Sequence, residues 1–258
     1  LDADKWNLFF ADALTEIRKT NPKRTVLLGV AEWGGVSALN KLVIPSDTHL
    51  ILTIHYYNPF TFTHQGAEWV SGSTPWLGTK WRDTEYERQA VMNDFQAVIQ
   101  LKQDKNIPIH IGEFGAYSKA DMDSRVKWSR FLSRWFEQEG FSWAYWEFNS
   151  GFGVYDPVTG QFRTSLLNAL TTDPMATAAP VTLIDLYSSN FSSSADGWNL
   201  YNNDASAASS LNIVSNKAQI TITSPGNQNW HIQLIRPGIA IQSGKTYRVS
   251  FNAYSTGN

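Results

Sequence analysis

The chain has no cysteine. Disulfides and thiolate chemistry are therefore closed to it, and no redox compartment is excluded. Charge of one sign is equally scarce. There are 21 Lys and Arg against 23 Asp and Glu, a formal net charge of −2. That gives no electrostatic case for nucleic acid or for an anionic membrane surface as a partner. Long apolar runs are missing too, so no segment reads as a membrane span. The five histidines (His49, His55, His64, His110, His231) are scattered, which argues against a metal site. There is no Gly-rich phosphate loop and no Ser/His/Asp order, so no cofactor is expected. A signal peptide is absent, but Leu1 is not an initiator Met, and the chain is expected to begin part-way through a longer sequence.

Aromatic residues are abundant: 14% of the chain, with 11 Trp. A core needs few Trp, because each buried indole N–H wants a partner. The surplus suggests flat platforms for stacking. Sugar rings are one target; bases are the other, and the charge disfavours them.

One stretch organises the rest: Pro108-Ile109-His110-Ile111-Gly112-Glu113-Phe114-Gly115. Its apolar run is too short for a helix and lies between helical patterns, so it reads as a buried parallel strand. Gly112 and Gly115 let the backbone turn and let something approach closely. A Glu at the C-terminal end of such a strand is where a β/α-barrel keeps its chemistry. A helix cap or a salt bridge in a loop is the plainer reading of the same Glu.

Helical spacing of Trp6, Phe9, Phe10, Ala13, Leu14 and Ile17, with Asp2 as N-cap, predicts an opening helix. Strands are predicted at 25–30, 50–54, in the Glu113 stretch, and at 141–148. Helices are predicted over 85–105, around 128–136 and over 165–170. A long loop with His64, Gln65, Trp69, Trp76 and Trp81 follows the second strand. Alternation of this kind means a parallel sheet with right-handed crossovers. The expected fold is α/β, half of a (β/α)8 barrel over residues 1–171, since four strands are half the required eight. Residues 172–180 read as a linker. Residues 181–258 contain no Glu and 13 Ser, and alternate apolar with polar at 218–223, 230–234 and 247–254. That pattern predicts a partial all-β sandwich.

Four strand ends would converge, carrying Glu32 and Trp33, His55 and Tyr57, Glu113, and Trp146 and Glu147. Carboxylates among aromatic platforms suit glycoside hydrolysis. Glu113 is the best nucleophile. Tyr57 is either a core residue bonded to backbone or a donor that keeps Glu113 ionised and aimed. His55 is either a proton relay or a structural His. Trp146 either floors a sugar site or fills the barrel. Glu147, next along the strand, should face away from Trp146. Trp33, Trp69, Trp76 and Trp81 lie in loops, which favours flanking sugar subsites over the core.

Together these residues resemble the C-terminal half of a glycoside hydrolase family 5 endoglucanase. The matching stretches are Ala31-Glu32-Trp33-Gly34-Gly35, Thr53 to Phe60, Thr63 to Trp69, Ile111 to Tyr117, Ala144 to Phe148 and Gly151 to Asp156. The resemblance implies a retaining β-1,4-glucanase with Glu113 as nucleophile. His55 and Tyr57 would line its site and Trp146 would stack on the sugar. On their own positions Trp33 and Trp69 are further substrate-binding candidates, as is Glu147, whose plainer reading is structural. It also implies a β-glucan or related polysaccharide as substrate, bacterial secretion, and no cofactor. The family's acid/base belongs to an Asn-Glu-Pro motif expected a few residues before Leu1; no Asn-Glu pair occurs in this chain. The alternative is a weak or inactive half-barrel glycan binder. Asp196-Gly197-Trp198, Asn229 to Leu234 and Gly244-Lys245-Thr246-Tyr247 resemble an incomplete family 4/9-like carbohydrate-binding module. Half a barrel leaves two open edges, so a homodimer through those edges is expected.

Overall fold

The computed structural model describes residues 2–242, 245 and 247–255. The chain divides into two compact units, Leu1–Val181 and Thr182–Asn258.

The first unit opens with helix α1 (Ala3–Thr20), whose N-cap Asp2 accepts from Lys5 N. Four strands follow, β1 (Val26–Gly29), β2 (Leu50–Tyr56), β3 (Ile109–Phe114) and β4 (Ser142–Trp143). They pair in that order, all parallel. Helices α2 (Phe60–Thr63), α3 (Glu85–Asp94) and α4 (Gln96–Lys105) lie between β2 and β3, and α5 (Met122–Gln138) lies between β3 and β4. A short hairpin, β5 (Tyr155–Asp156) and β6 (Gln161–Phe162), precedes α6 (Thr164–Thr171). This is the expected half of a (β/α) barrel.

Period-two burial divides the sheet into two faces. Leu28, Leu52, Ile54 and Ile111 are fully buried, packed in one core with Trp128, Phe131, Leu132 and Phe136 of α5. Each such side chain contributes about 1.5–3 kcal/mol relative to exposure. On the opposite face Leu27 is half exposed. Among the described residues, β1 and β4 are each paired along one edge only.

Three expectations change here. The helix predicted over 85–105 breaks at Phe95, which has φ −91° and ψ −2°. The break lets the fully buried Phe95 ring pack on Tyr56, Trp135 and Phe136 while Val91 and Val98 also stay inward. The strand predicted at 141–148 pairs only over Ser142–Trp143, although Ala144 N and Trp146 N still donate to Ile111 O and Phe114 O. Residues 172–180 are not a free linker. Ala179 N donates to Asp83 O, Arg88 Nη2 donates to Ala176 O, and Arg134 Nη1 reaches Asp173 O.

The second unit has two antiparallel ladders. One joins β7 (Asn199–Asn202) to β10 (Ile232–Ile235), the other β8 (Ala207–Ile213) to β9 (Ala218–Pro225). The strand expected at 247–254 is absent among the described residues; Val249 and Phe251 are exposed and have no ladder partner there. Alternation alone does not hold an extended segment without a neighbouring strand to bond it. Of the Gly244 to Tyr247 motif, Gly244 and Thr246 lie outside the described residues.

Candidate active site

Strict alternation along β3 would send Glu113 to the same side as Ile109 and Ile111, into the helix-facing core. It does not go there. The β2–β3 register pairs Ile54 with Ile111 and then His55 with Glu113, so Gly112 is an extra residue in β3. This bulge turns Glu113 onto the open face beside His55, while Phe114 returns to full burial. Re-aiming one side chain is what a bulge does.

Two groups meet Glu113 on one oxygen. Tyr57 Oη donates to Glu113 Oε2 at 2.8 Å. His55 Nδ1 lies 3.4 Å from the same atom. Tyr57 leaves β2 just before Pro59, and its carbonyl is tied down by Thr63 Oγ1. Burial first, and then the Glu113 hydrogen bond, hold the Tyr57 hydroxyl far above the usual phenol range. It is therefore a donor at every working pH. Core packing with a backbone bond, the plainer reading of Tyr57, is not what the hydroxyl does.

Glu147 also belongs to this cluster. Its charge is one of the groups that raise Tyr57. It is half-buried, and Phe152 N donates to its Oε1 at 3.4 Å. The expectation that it faces away from Trp146 assumed strand alternation, and the paired strand has ended at Trp143. Trp146 is about half exposed, with its amide bonded to Phe114 O beside Glu113.

An aromatic wall runs outward from Tyr57. His64 lies edge-on to Tyr57 at 5.0 Å and stacks on Phe60 at 4.0 Å. Phe152 touches Tyr57, His64, Trp69 and Tyr117. Trp69, mostly exposed, ends the wall edge-on to Tyr117 at 4.8 Å. Burial lowers His64 to a pKa of about 4, so its ring is neutral near pH 7. From the sequence His64 is a loop residue within the matching Thr63 to Trp69 stretch, and its position between Phe60 and Trp69, dense with aromatics, is the signal for its place in the wall. Trp33 is 93% exposed and stands beside Gly34, which borders His55. Trp81, expected among the sugar-facing loop residues, is instead buried in the core against Phe131. Trp76 is half-buried against Phe60.

Among the described residues, no three of His, Asp and Glu converge as metal ligands. No helix among them is long and apolar enough to cross a membrane.

Fold and cluster together define a class: half of a (β/α) barrel with a hydrogen-bonded carboxylate at its strand ends and aromatic rings around it. The family follows from comparison with known proteins. The model of the cellulase family, glycosyl hydrolase family 5, matches residues 2–151, and that of a carbohydrate-binding domain matches residues 186–258. The chain belongs to glycosyl hydrolase family 5. Endoglucanase H of Acetivibrio thermocellus is 38% identical over 161 residues, which are 60% of this chain and 16% of that protein. Thermotoga maritima Cel5A in complex with cellobiose is 49% identical with a TM-score of 0.64, over 66% of this chain and 55% of that one. The cellulose synthase subunit Z of Clostridioides difficile is 34% identical with a TM-score of 0.62, over 66% of this chain and 56% of that one. The chain thus spans about half the length of these solved relatives.

Proposed function

We propose that this chain carries the nucleophile half of a retaining endo-β-1,4-glucanase. The observation that supports this most is the Tyr57–Glu113 contact at 2.8 Å on a bulged strand end. A carboxylate so held attacks the anomeric carbon as the glycosidic C–O bond breaks and the leaving oxygen takes a proton from the acid/base. Water, deprotonated by the same acid/base, then displaces the carboxylate from the sugar. Both contacts fall on Oε2, so Oε1 is assigned to the attack. Trp146 takes the sugar beside the scissile bond, and Trp33 and Trp69 take flanking sugars. His55 and Glu147 complete the substrate-binding set. The acid/base comes from whatever element pairs with the free edge of β1.

Related Cel5A structures hold cellobiose and mannotriose. The proposed substrate is accordingly a β-1,4-linked glucan or mannan, and the Thr182–Asn258 unit, which the carbohydrate-binding model matches, grips the same polymer. Such polymers are met outside the cell, so the protein is proposed to be secreted. The one-sided pairing of β1 and β4 among the described residues, with Leu27 of β1 half exposed, supports a homodimer in which a second copy closes the barrel. That arrangement would bring Glu147 of the second copy beside β1. A monodisperse monomer by light scattering at micromolar protein would overturn the dimer.

The test of activity is turnover of a soluble cellulose derivative, with Glu113→Gln as control and the product anomer read by NMR. Turnover with retention that vanishes in Glu113→Gln is expected. Binding without turnover would favour the other reading, a glycan binder; the half-length match to the relatives is the observation on its side.

A further inference from the structure

We propose that Gly112 is a positioning residue: with Gly34 it forms a slot free of side chains that sets the His55 ring against Glu113. This rests on Glu113 as the reacting carboxylate, but the slot itself is a matter of space. A Cβ on Gly112 would lie 2.6 Å from Thr53 Oγ1 and 3.4 Å from His55 Cδ2 and Nε2. A Cβ on Gly34 would lie 2.9 Å from His55 Cγ and 3.0 Å from Nδ1, with Cδ2 at 3.2 Å. The Gly34 Cβ would crowd Cγ, Nδ1 and Cδ2 of the ring, while the Gly112 Cβ would meet Cδ2 and Nε2 at van der Waals distance and crowd Thr53 Oγ1. The ring atom left facing Glu113 is Nδ1, at 3.4 Å from Oε2.

The two glycines differ in why they are glycine. Gly34 has φ +79°, a conformation that itself favours glycine. The φ of Gly112 is not in that left-handed region, so any residue could adopt its backbone. At 112 the close approach of Thr53 Oγ1 is what disfavours a Cβ. Gly112 is also the bulged residue, so a Cβ pressing on Thr53 there would push on the strand at the point that turns Glu113 to the open face beside the imidazole.

The experiment uses the full chain with 13C-labelled histidine. The His55 Cε1–Hε1 cross-peak is assigned by its loss in His55→Asn. In the wild type, Glu113→Gln is expected to displace that peak, because it removes the charge beside Nδ1. In Gly112→Ala the same substitution is expected to displace it by less than half as much. Thr53→Ala together with Gly112→Ala removes the 2.6 Å obstruction and is expected to restore the displacement. An unchanged displacement in Gly112→Ala overturns the proposal, as does failure of the double variant to recover. If Gly112→Ala does not fold, the double variant decides alone: recovery supports the slot, and its absence overturns it. In parallel, kcat of Gly112→Ala should fall about 10–100-fold with KM within about twofold, as for a reacting pair misplaced by about 1 Å. Absence of wild-type turnover would sink the hydrolase reading, while the NMR comparison would still report on the slot.

Discussion

Replacing Tyr57 by phenylalanine removes one oxygen and leaves the ring where it packs, edge-on to His64 and Phe152. The lost bond is a 2.8 Å contact to a carboxylate, with the phenol partly shielded from water. A hydrogen bond to a charged group is worth about 1.5–3 kcal/mol. If that bond aligns Glu113 in the transition state, kcat/KM on a soluble cellulose derivative should fall about 10–100-fold. KM should change little, because the proposed sugar contacts are the Trp platforms rather than this hydroxyl. The fold should feel the same loss, with unfolding free energy falling by about 1–3 kcal/mol and the variant still folded at about 25 °C. Because the phenol is protonated at every working pH, no part of the loss should be recovered by moving pH between about 5 and 8. A Tyr57→Phe variant within about twofold of wild type, alongside an inactive Glu113→Gln, would refute the idea that this donor prepares the nucleophile.

Three further outcomes follow from the same geometry. Trp128 is fully buried between Phe62 and Phe114 and donates to Asn58 O, so Trp128→Ala should cost about 3–5 kcal/mol in a denaturant melt. His64 has its pKa depressed by burial from 6.5 to about 4. The folded state therefore favours the neutral ring. The stability this gives is complete above pH 6.5 and drains away as pH falls towards 4, by about 2–3 kcal/mol. Urea midpoints at pH 7 and pH 4.5 should show it, and His64→Gln should flatten the difference. Trp33, at 93% exposure, should be replaceable by Ala with a stability change within about 0.5 kcal/mol. Its loss should weaken cello-oligosaccharide binding about fivefold by calorimetry, the equivalent of about 1 kcal/mol of ring contact.

Periodicity carried the parallel sheet well. Leu50 to Ile54 and Ile109 to Ile111 announce buried strands because a sheet covered by helices has no use for polar residues on that face. What periodicity could not carry was the one place it fails. Gly112 adds a residue to β3, and only then does Glu113 leave the buried side. The signal was present: Phe114 is apolar and buried, out of parity with Ile111, with a glycine between them. The break at Phe95 was hidden because Val91, Phe95 and Val98 fit one helix as well as two. Trp81 was misread for a different reason. A loop position does not mean exposure, and Trp81 turns inward to stack with Phe131. The 172–180 stretch looked like a linker by composition, but its backbone bonds to Asp83 and Arg88 depend on residues far away in sequence.

The Trp33 turn has a thermodynamic side. Glu32 and Trp33 both hold φ near +57°, where L-residues sit at a cost of about 1–2 kcal/mol each. The Glu32 carbonyl receives Gly35 N, and its carboxylate pairs with Lys41 at 3.1 Å, which keeps the turn closed. The backbone that carries the indole is thus set before any sugar arrives. Ordering it is a cost met during folding, so a ligand that stacks there forfeits little conformational entropy. Relaxing the turn with glycine would raise stability and, by the same accounting, loosen the grip on polysaccharide.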